Sequence, residues 1–464
     1  PPRGAALMHR MLAKYMTVLA ALVAANTAYP QWTFLLDQGF RTQIQEKNVN
    51  SIALFPDGKL LLSGRIRFPG DMSDRSSARL LPNGQRDLNF PMFPQTTGGG
   101  IITPWVGGKF YVGTSTVRRL TPDGLIDPSF IAPHTSPYFQ GGSGGGGDYH
   151  VYPDGRILLS GRHLLSDSVR GFEGYYNLIW FTNEGYLDTT RTHRQGNGVV
   201  NRFAELPNGQ FICSGTCTEF EGKAVDWIFR VNADGTTDTT FRTGVYIGGA
   251  YAYLPLPDGR VYAGGNFRRA EAPDDTLRLV RFMPDGSLDP SFNIPSFDDG
   301  TLDWPVLGAA VTDLLQLSPN AILVSGLFRY VNGQPRKSIC LIDSSGHLLD
   351  AFDAQGVDVF PTGFLTYSSI EQMLFDPTNS HLYLCGAYTG YNDGQVNDPL
   401  QRFVSRLLVQ EITTGVRERE RPHTALHLNP NPVAQGGTVQ VEVQLPENFK
   451  PEGALRLSVV GSDG

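Results

Sequence analysis

The sequence is poor in cysteine, in net positive charge and in long apolar runs. Four cysteines among 464 residues do not show the spacing of a disulfide framework. The formal charge of −7 gives no general attraction to nucleic acid or to an anionic membrane surface. The apolar run Val18 to Ala25 is much shorter than the ~20 residues that cross a bilayer. The sequence therefore predicts a protein without a transmembrane anchor and without a nucleic-acid partner.

The cysteines lie in apolar surroundings. Cys213 and Cys385 occupy strand positions that other repeats fill with leucine or serine, and Cys340 lies in the apolar run Ile339 to Ile342. Small buried strand residues are the interpretation that this pattern favours. A Cys213–Cys217 bridge is the alternative, although so short a loop gives little entropic stabilisation.

Motifs for catalysis or metal binding are also missing. Gly141 to Gly145 matches the G-x-S-x-G spelling of hydrolases, but it lies in a glycine-rich run rather than at a strand-to-helix turn. His423 and His427 are four residues apart, as zinc ligands on a helix would be, yet they lie where a linker enters a strand. The acidic pairs do not follow calcium-loop spacing. The sequence therefore predicts no catalytic residue, no cofactor and no metal site.

Turn-forming and aromatic residues are abundant. The chain has 53 glycines and 32 prolines, and 11% of its residues are aromatic, which is typical of an all-β protein with many turns. One phrase, Pro284 to Phe292, combines a Pro-Asp-Gly turn, an aspartate and a phenylalanine at regular spacing. It recurs from Pro122 to Phe130, and weaker copies end at Phe90, Phe241 and Phe352. Such recurrence indicates a repeat architecture.

Each repeat contains two tight turns between apolar strands. Seven first turns lie at Asp57, Gly108, Asp154, Asn208, Asp258, Asn320 and Asn379. Two hairpins per repeat give four short strands, which is the content of a propeller blade. The last repeat lacks its Asp-x-x-Phe segment, and that segment is found instead at Leu36 to Phe40. The prediction is an all-β, seven-bladed propeller of four-stranded blades, closed by the N-terminal strand.

Three side-chain types recur with the turns. Aspartate lies at 37, 87, 127, 188, 238 and 289, phenylalanine at 40, 90, 130, 241, 292 and 352, and arginine at 79, 119, 230, 281 and 406. Arg191 is the exception, since it stands where phenylalanine is expected. Catalytic residues are not made in so many copies. The pattern predicts phenylalanine packing between blades, with aspartate capping a local turn or pairing with the arginine.

These phrases resemble a known family. The alternation of I-A-L-x-P-D-G-K-L-L-L-S-G, from Ile52, with R-L-x-P-D-G-x-L-D-P-S-F is similar to the delta-60 repeat of bacterial exported β-propellers. The resemblance covers about Phe34 to Leu407, and the loop Gly326 to Arg336 is similar to the G-x-F-x-x-V-N-G loop of that repeat. The resemblance implies the fold without a defined activity.

Both ends of the chain predict export. Residues 1–30 combine a positive start, a short apolar core and small residues, which is typical of a signal peptide. The propeller is predicted over 31–416 and a charged linker over 417–424. Residues 425–464, with their Asn-Pro-Asn-Pro phrase, resemble part of the β-sandwich C-terminal sorting domain of type IX secretion. We therefore expect a secreted or cell-surface protein whose C-terminal module meets the export machinery.

The variable loops are where function is expected, because binding residues concentrate on loops held by a rigid scaffold. The second-to-third-strand loops and the blade connections share one face and are rich in aromatic and acidic residues. The candidate ligand-binding residues are Tyr138, Tyr176, Phe220, Asp298, Asp299, Trp304, Tyr330 and Tyr388. The sequence favours a monomeric scaffold that binds a glycan or a protein through this face. A carbohydrate-active hydrolase or lyase with its site at the channel mouth, and a purely structural surface component, remain alternatives.

Overall fold

The computed structural model describes residues 31–91, 100–113, 116–132, 139–140, 146–300, 308–353, 355–361, 366–412, 425–429 and 440–444. The chain divides into two compact units. One unit is Trp32–Gln410, and the other combines Pro1–Gln31 with Glu411–Gly464. In the part of the chain that is described, no helix is long and apolar enough to cross a membrane.

The described residues are almost entirely strands and turns, with one 3-10 turn at Val106–Gly108. The first strands are β1 (Gln31–Leu36), β2 (Glu46–Leu54), β3 (Leu60–Arg67), β4 (Arg75–Leu80), β5 (Ile101–Pro104), β6 (Phe110–Gly113), β7 (Val117–Leu120), β8 (Phe139–Gln140), β9 (Tyr149–Val151), β10 (Ile157–Asp167) and β11 (Phe172–Phe181). They are followed by β12 (Val200–Glu205), β13 (Phe211–Gly215), β14 (Glu219–Phe220), β15 (Lys223–Ala224), β16 (Ile228–Val231), β17 (Val245–Pro255), β18 (Val261–Arg269), β19 (Ala272–Phe282), β20 (Phe297–Asp298), β21 (Ala310–Ser318) and β22 (Ala321–Leu327). The last are β23 (Tyr330–Val331), β24 (Gln334–Pro335), β25 (Ile339–Ile342), β26 (Gly356–Asp358), β27 (Phe360–Pro361), β28 (Thr366–Tyr367), β29 (Ser369–Asp376), β30 (His381–Asn392), β31 (Asn397–Ile412), β32 (Ala425–Asn429) and β33 (Gln440–Gln444).

Antiparallel triplets of strands recur along Trp32–Gln410. They are β2-β3-β4, β5-β6-β7, β9-β10-β11, β12-β13-β16, β17-β18-β19, β21-β22-β25 and β29-β30-β31. Tight turns join the strands, and the Pro-Asp-Gly phrase of the sequence explains their conformation. In the turn after β19, Gly286 has a φ of +89° and donates its N–H to the Met283 oxygen at 2.9 Å. Only glycine adopts this conformation without strain, so the Pro-Asp-Gly phrase fixes the turn.

The fourth strand of six of the predicted repeats is shorter than expected. In six triplets the chain after the second turn makes a single antiparallel bridge, as between Leu80 and Arg86 or between Phe282 and Leu288. The aspartate and phenylalanine that follow form turns, because their side chains bond and pack locally. In the last triplet, β1 fills this place and pairs with β31. The N-terminal strand therefore supplies a complete fourth strand to the C-terminal triplet.

The structure shows the predicted pairing of aspartate with arginine, and it adds a contact between the arginine and the phenylalanine ring that was not predicted. Asp289 Oδ1 accepts the Ser291 N–H at 2.8 Å, and Asp289 Oδ2 accepts from Arg281 Nε at 2.7 Å. The Arg281 guanidinium carbon lies 5.2 Å from the centre of the Phe292 ring. The other groupings are Arg79–Asp87–Phe90, Arg119–Asp127–Phe130, Arg230–Asp238–Phe241 and Arg406–Asp37–Phe40. The aspartate both caps the turn and pairs with the arginine.

At Arg191 the arginine and the aromatic ring occupy each other's usual positions. Its guanidinium carbon lies 5.7 Å from the Trp180 ring, and Trp180 occupies the strand position that arginine fills in the other triplets. The backbone shows the equivalence, since Asp188 donates its N–H to the Trp180 oxygen just as Asp289 does to that of Arg281. The cation and the ring have exchanged places, and their contact is retained.

The innermost strands of successive triplets pack together around a polar layer. One residue of each strand, or directly before it in the case of Asp148, occupies the same register: Ser51, Ile101, Asp148, Arg202, Ala252, Asp313 and Gln372. Several accept a backbone N–H from the next triplet. Ser51 Oγ accepts from Ile102 at 3.0 Å, and Gln372 Oε1 accepts from Ile52 at 2.8 Å. Each innermost strand is the edge of its triplet, so these side chains satisfy backbone N–H groups that face the neighbouring triplet.

The four cysteines are free and buried, as the apolar pattern predicted. The alternative Cys213–Cys217 bridge is not formed. Burial raises the pKa of both thiols, that of Cys217 to about 11, so neither is activated as a nucleophile. In the second unit, β32 and β33 form an antiparallel pair with Ala425 opposite Gln444.

Candidate functional site

Three of the predicted ligand-binding aromatics are buried. Tyr176 is 8% exposed, and Phe220 and Tyr388 are fully buried. Phe220 packs at 5.1 Å from Phe229, and the Tyr388 hydroxyl bonds to Ser405 Oγ at 2.9 Å. These rings fill the space beneath their own loops, which removes them from a surface that a ligand reaches in this structure. Tyr138 and Trp304 lie outside the described residues.

Asp298, Asp299 and Tyr330 are brought together from two separate segments. Strands β20, β23 and β24 form a small sheet in which Asp298 pairs with Tyr330. Asn332 and Gly333 both have positive φ, so they make the two-residue turn that places β23 against β24. Tyr330 is 41% exposed, and its ring lies over Gly300, whose N–H bonds to Asp298 Oδ1 at 2.6 Å. We call Asp298, Asp299, Gly300 and Tyr330 the tyrosine–aspartate patch.

Burial and like charge act on one carboxyl of this patch. Partial burial raises the pKa of Asp299 above its usual value, and the neighbouring Asp298 carboxylate raises it further. The guanidinium of Arg278 acts in the opposite direction. Arg278 lies in β19, so its charge connects the patch to the adjacent triplet. An exposed ring beside polar groups that are incompletely compensated is the chemistry of a binding surface.

A second cluster of polar side chains lies along the innermost strands of the triplets. Arg202 Nη1 lies 3.3 Å from Asp148 Oδ2. Asp313 accepts two backbone N–H bonds, from Met373 at 2.6 Å and from Leu314 at 2.9 Å. Burial nevertheless raises the pKa of Asp313 to about 7, with Glu371 adding to the rise. Its carboxyl therefore exchanges a proton near neutral pH while it holds two triplets together.

Two concave surfaces of the described residues lie beside the tight turns. A cavity of about 490 Å³ is lined by Asp258, Arg260, Tyr262, Arg281, Gln316 and Ser345 among others. Its arginines are already paired, because Arg260 contacts Asp258 and Asp289 and Arg281 contacts Asp289. A ligand here would compete with bonds that stabilise the repeats. Within the described residues, no group of three His, Cys, Asp or Glu side chains could hold a metal ion.

Tyr251 is 40% exposed and interacts electrostatically with Arg278. It is one of three residues in or near these groups that were not predicted from the sequence. Tyr251 and Arg278 lie within strands, where the apolar pattern indicates only packing, and Asp313 lies at a register position that serine or glutamine also fills. The signal that could have identified Tyr251 is its β-bulge, since Ala250 and Ala252 pair with successive partners and leave Tyr251 over. A bulge commonly re-aims a side chain.

The class of protein follows from the fold and from one family comparison. The chain is all-β, and residues 106–130 and 256–292 match a domain of unknown function, the DUF5122 beta-propeller. Both segments contain the arginine–aspartate–phenylalanine grouping. The match thus covers two of the most regular repeats, and together with the all-β strand triplets it supports a β-propeller arrangement. None of the curated proteins matches this chain in sequence.

Solved structures of similar arrangement share little sequence with it. One, described as the extracellular domain of a hybrid two component system from B. thetaiotaomicron, is 14% identical with a TM-score of 0.40 and covers 86% of this chain. This chain spans 45% of that one. Virginiamycin B lyase from Staphylococcus aureus is 11% identical with a TM-score of 0.34, over 82% of this chain and 99% of its own. Regucalcin, a calcium-binding protein from Agrobacterium tumefaciens, is 12% identical with a TM-score of 0.35, over 69% and 97%.

Proposed function

We propose that Trp32–Gln410 forms a closed, seven-bladed propeller that serves as a binding scaffold. Seven strand triplets support the blade number, and successive inner strands are in contact. Contacts between β2 and β29, together with the β1–β31 pairing, support closure. A ring sealed in this way has no free sheet edge. Residues 1–30 and 425–464 support export and surface or extracellular placement on sequence grounds alone, as a delta-60-type protein with a type IX sorting module.

We infer that the ligand is a glycan or a protein, and that it binds at the tyrosine–aspartate patch. The observation that carries this proposal is the pairing of Asp298 with Tyr330, which places an exposed ring beside a carboxylate. An aromatic ring stacks on an apolar sugar face or a side chain, while carboxylates accept hydroxyl or amide hydrogen bonds. The turn that holds Asn332 and Gly333 preorganises the patch, which lowers the entropic cost of binding.

A matched pair of exposed tyrosines tests this assignment. Tyr330 is 41% exposed in the patch, and Tyr186 is 51% exposed in the second turn of another triplet. Binding of the full chain to a glycan array and to surface proteins is measured for Tyr330→Ala, Asp298→Asn and Tyr186→Ala. Loss of a single stacked ring corresponds to roughly a five- to tenfold weaker affinity. The first two changes are expected to weaken binding, and Tyr186→Ala is expected to leave it unchanged.

The outcomes separate the hypotheses. Equal loss with Tyr186→Ala and Tyr330→Ala would place the ligand outside the patch. Ligand capture that survives Tyr330→Ala and Asp298→Asn together would also reject it. No bound glycan or protein at all would favour the architectural alternative.

The second candidate is a carbohydrate-active enzyme at the centre of the ring. Asp313 favours it, because a carboxyl with a pKa of about 7 beside Glu371 is suited to general acid or base catalysis. Hydrolysis or elimination by the full chain would be measured on a polysaccharide panel with Asp313→Asn and Glu371→Gln. Turnover that both changes abolish, without loss of fold, would establish the enzyme. Activity that neither change alters would remove this pair from the chemistry.

A further inference from the structure

Arg278 lies next to the tyrosine–aspartate patch and has no paired carboxylate among the described residues. Its Nη1 donates to Asn266 Oδ1 at 2.7 Å. Its Nε is buried and has no hydrogen-bond partner among the described residues. Burial lowers the pKa of Arg278, and the nearby Arg268 lowers it further. A guanidinium in this position is a cation whose charge is incompletely compensated.

Arg281, three residues further along β19, shows what a compensated arginine looks like in this fold. Arg281 pairs with Asp289 at 2.7 Å and also bonds to the Tyr262 hydroxyl at 2.9 Å and to Ser291 Oγ at 3.0 Å. Arg278 has one amide partner and, among the described residues, forms no ion pair within 4.0 Å. The same strand thus carries one structural arginine and one that is available to a ligand.

One exposed aromatic side chain lies near Arg278. Tyr251 is 40% exposed, and the positive charge of Arg278 opposes the rise that burial causes in the pKa of Tyr251. Asp299 interacts electrostatically with Arg278 and belongs to the patch. Arg278 therefore lies between an exposed ring of its own triplet and a carboxylate of the patch.

Resting on the proposed binding function, we propose that the ligand is an acidic saccharide whose uronate carboxylate binds Arg278. The tyrosines supply stacking surfaces for sugar rings, and Asp298 and Asp299 accept hydrogen bonds from hydroxyls. An acidic peptide would also bring a carboxylate, but its acidic side chains carry no hydroxyls for Asp298 and Asp299. Each residue of an acidic saccharide presents hydroxyls beside its carboxylate, which suits an arginine next to two carboxylates.

The test compares two probes that differ only in the carboxylate. The affinity of the full chain is measured by calorimetry for a galacturonate hexasaccharide and for its carboxyl-reduced counterpart. A charge-assisted bond predicts roughly ten- to a hundredfold tighter binding of the uronate. Arg278→Gln is expected to make the two affinities equal, while Arg268→Gln, on the same hairpin and bonded to Thr276, is expected to keep most of the difference. Asp299→Asn is expected to tighten uronate binding, because it removes a like charge.

Equal binding of the two hexasaccharides by the unmodified protein would overturn the inference, as would an unchanged ratio in Arg278→Gln. Tighter binding of a polyglutamate peptide than of the uronate would overturn it in favour of a protein ligand. If both sugars bind equally and Tyr330→Ala weakens both, the inference falls and the proposed function stands. If neither sugar binds, the inference falls whatever other ligand the patch takes.

Discussion

Arg406 and Asp37 are separated by 369 residues in sequence, yet Arg406 Nε lies 2.8 Å from Asp37 Oδ2. The Asp37 N–H also donates to the Arg406 oxygen at 2.9 Å, which aligns β1 on β31. Arg406 Nη1 reaches the Pro82 oxygen at 2.7 Å, so one guanidinium joins the N-terminal strand, the last triplet and the first. Arg406 therefore holds the first strand of the unit Trp32–Gln410 to its last triplet.

Removing this link is expected to weaken the whole unit. Both side chains are largely buried, at 12% and 16% exposure, so Asp37→Ala leaves an arginine without its anion. The expected loss is about 2–4 kcal/mol in the free energy of unfolding, measured in urea. Glu271→Gln is the control, because Glu271 is 62% exposed in its pair with Arg269 and should matter by less than about 1 kcal/mol. If Asp37→Ala lowers the free energy of unfolding as little as the control does, the pairing of β1 with β31 does not depend on this ion pair.

The exchanged contact of Trp180 and Arg191 predicts a coupled pair of substitutions. Trp180→Arg alone should destabilise by about 3 kcal/mol, because Trp180 is 1% exposed in the core. Adding Arg191→Phe restores the grouping seen with Asp289, with the new arginine facing Asp188. The double variant should therefore recover at least ~1 kcal/mol relative to the sum of the single changes. Additive effects in a double-mutant cycle of unfolding free energies would contradict the equivalence of the two arrangements.

Two glycines separate backbone strain from packing between triplets. Gly171 and Gly185 have φ of +81° and +86°, so alanine is strained at both by about 1–2 kcal/mol. A Cβ on Gly171 meets nothing within 4 Å, whereas on Gly185 it would overlap the Ile131 oxygen of the preceding connection. Gly185→Ala should therefore shift the urea midpoint clearly more than Gly171→Ala. Equal shifts would mean that the connection moves aside at no measurable cost.

His193 predicts loss of stability in mild acid. Burial against Trp180 and Phe172 lowers its pKa from 6.5 to about 4. Between those values the unfolded chain binds the proton and the folded chain does not, so stability falls as pH falls from 6.5 towards 4. The full effect is about 3 kcal/mol below pH 4. His193→Gln should flatten the slope of unfolding free energy over this range, and an unchanged slope would assign the acid sensitivity to other groups.

The sequence predicted the turns and their anchors because these obey local rules. A Pro-Asp-Gly turn needs positive φ at glycine, and the spacing from Arg281 to Asp289 to Phe292 is short enough to read along the chain. The presence of arginine at position 191, where phenylalanine is expected, is explained only by its contact with Trp180 in the structure. Regularity at short range was therefore the reliable signal.

The binding surface was harder to predict because loop side chains turn inward or outward according to tertiary packing. Phe220 and Tyr388 are aromatic residues of the kind that contact ligands, yet both are buried. Tyr251 belongs to a sequence pattern that predicts a packed strand, yet its side chain is exposed. Asp298 and Tyr330 were both proposed from loop composition, but only the pairing of β20 with β23 places them side by side. Arg278 was missed because its significance is that its Nε has no hydrogen-bond partner among the described residues, which the sequence does not show.

The pairing of β1 with β31 also sets an order of events during synthesis. During synthesis β1 is made first, but its partner β31 is made only after all the other strands of this unit. Bringing β1 and β31 together closes a very long loop, which carries a large entropic cost. The early triplets can fold on local hairpins, while the C-terminal one stays incomplete until β31 has been made. We therefore expect the pairing of β1 with β31 to form last within this unit, and a variant shortened before Asn397 to keep its earlier triplets without that pairing.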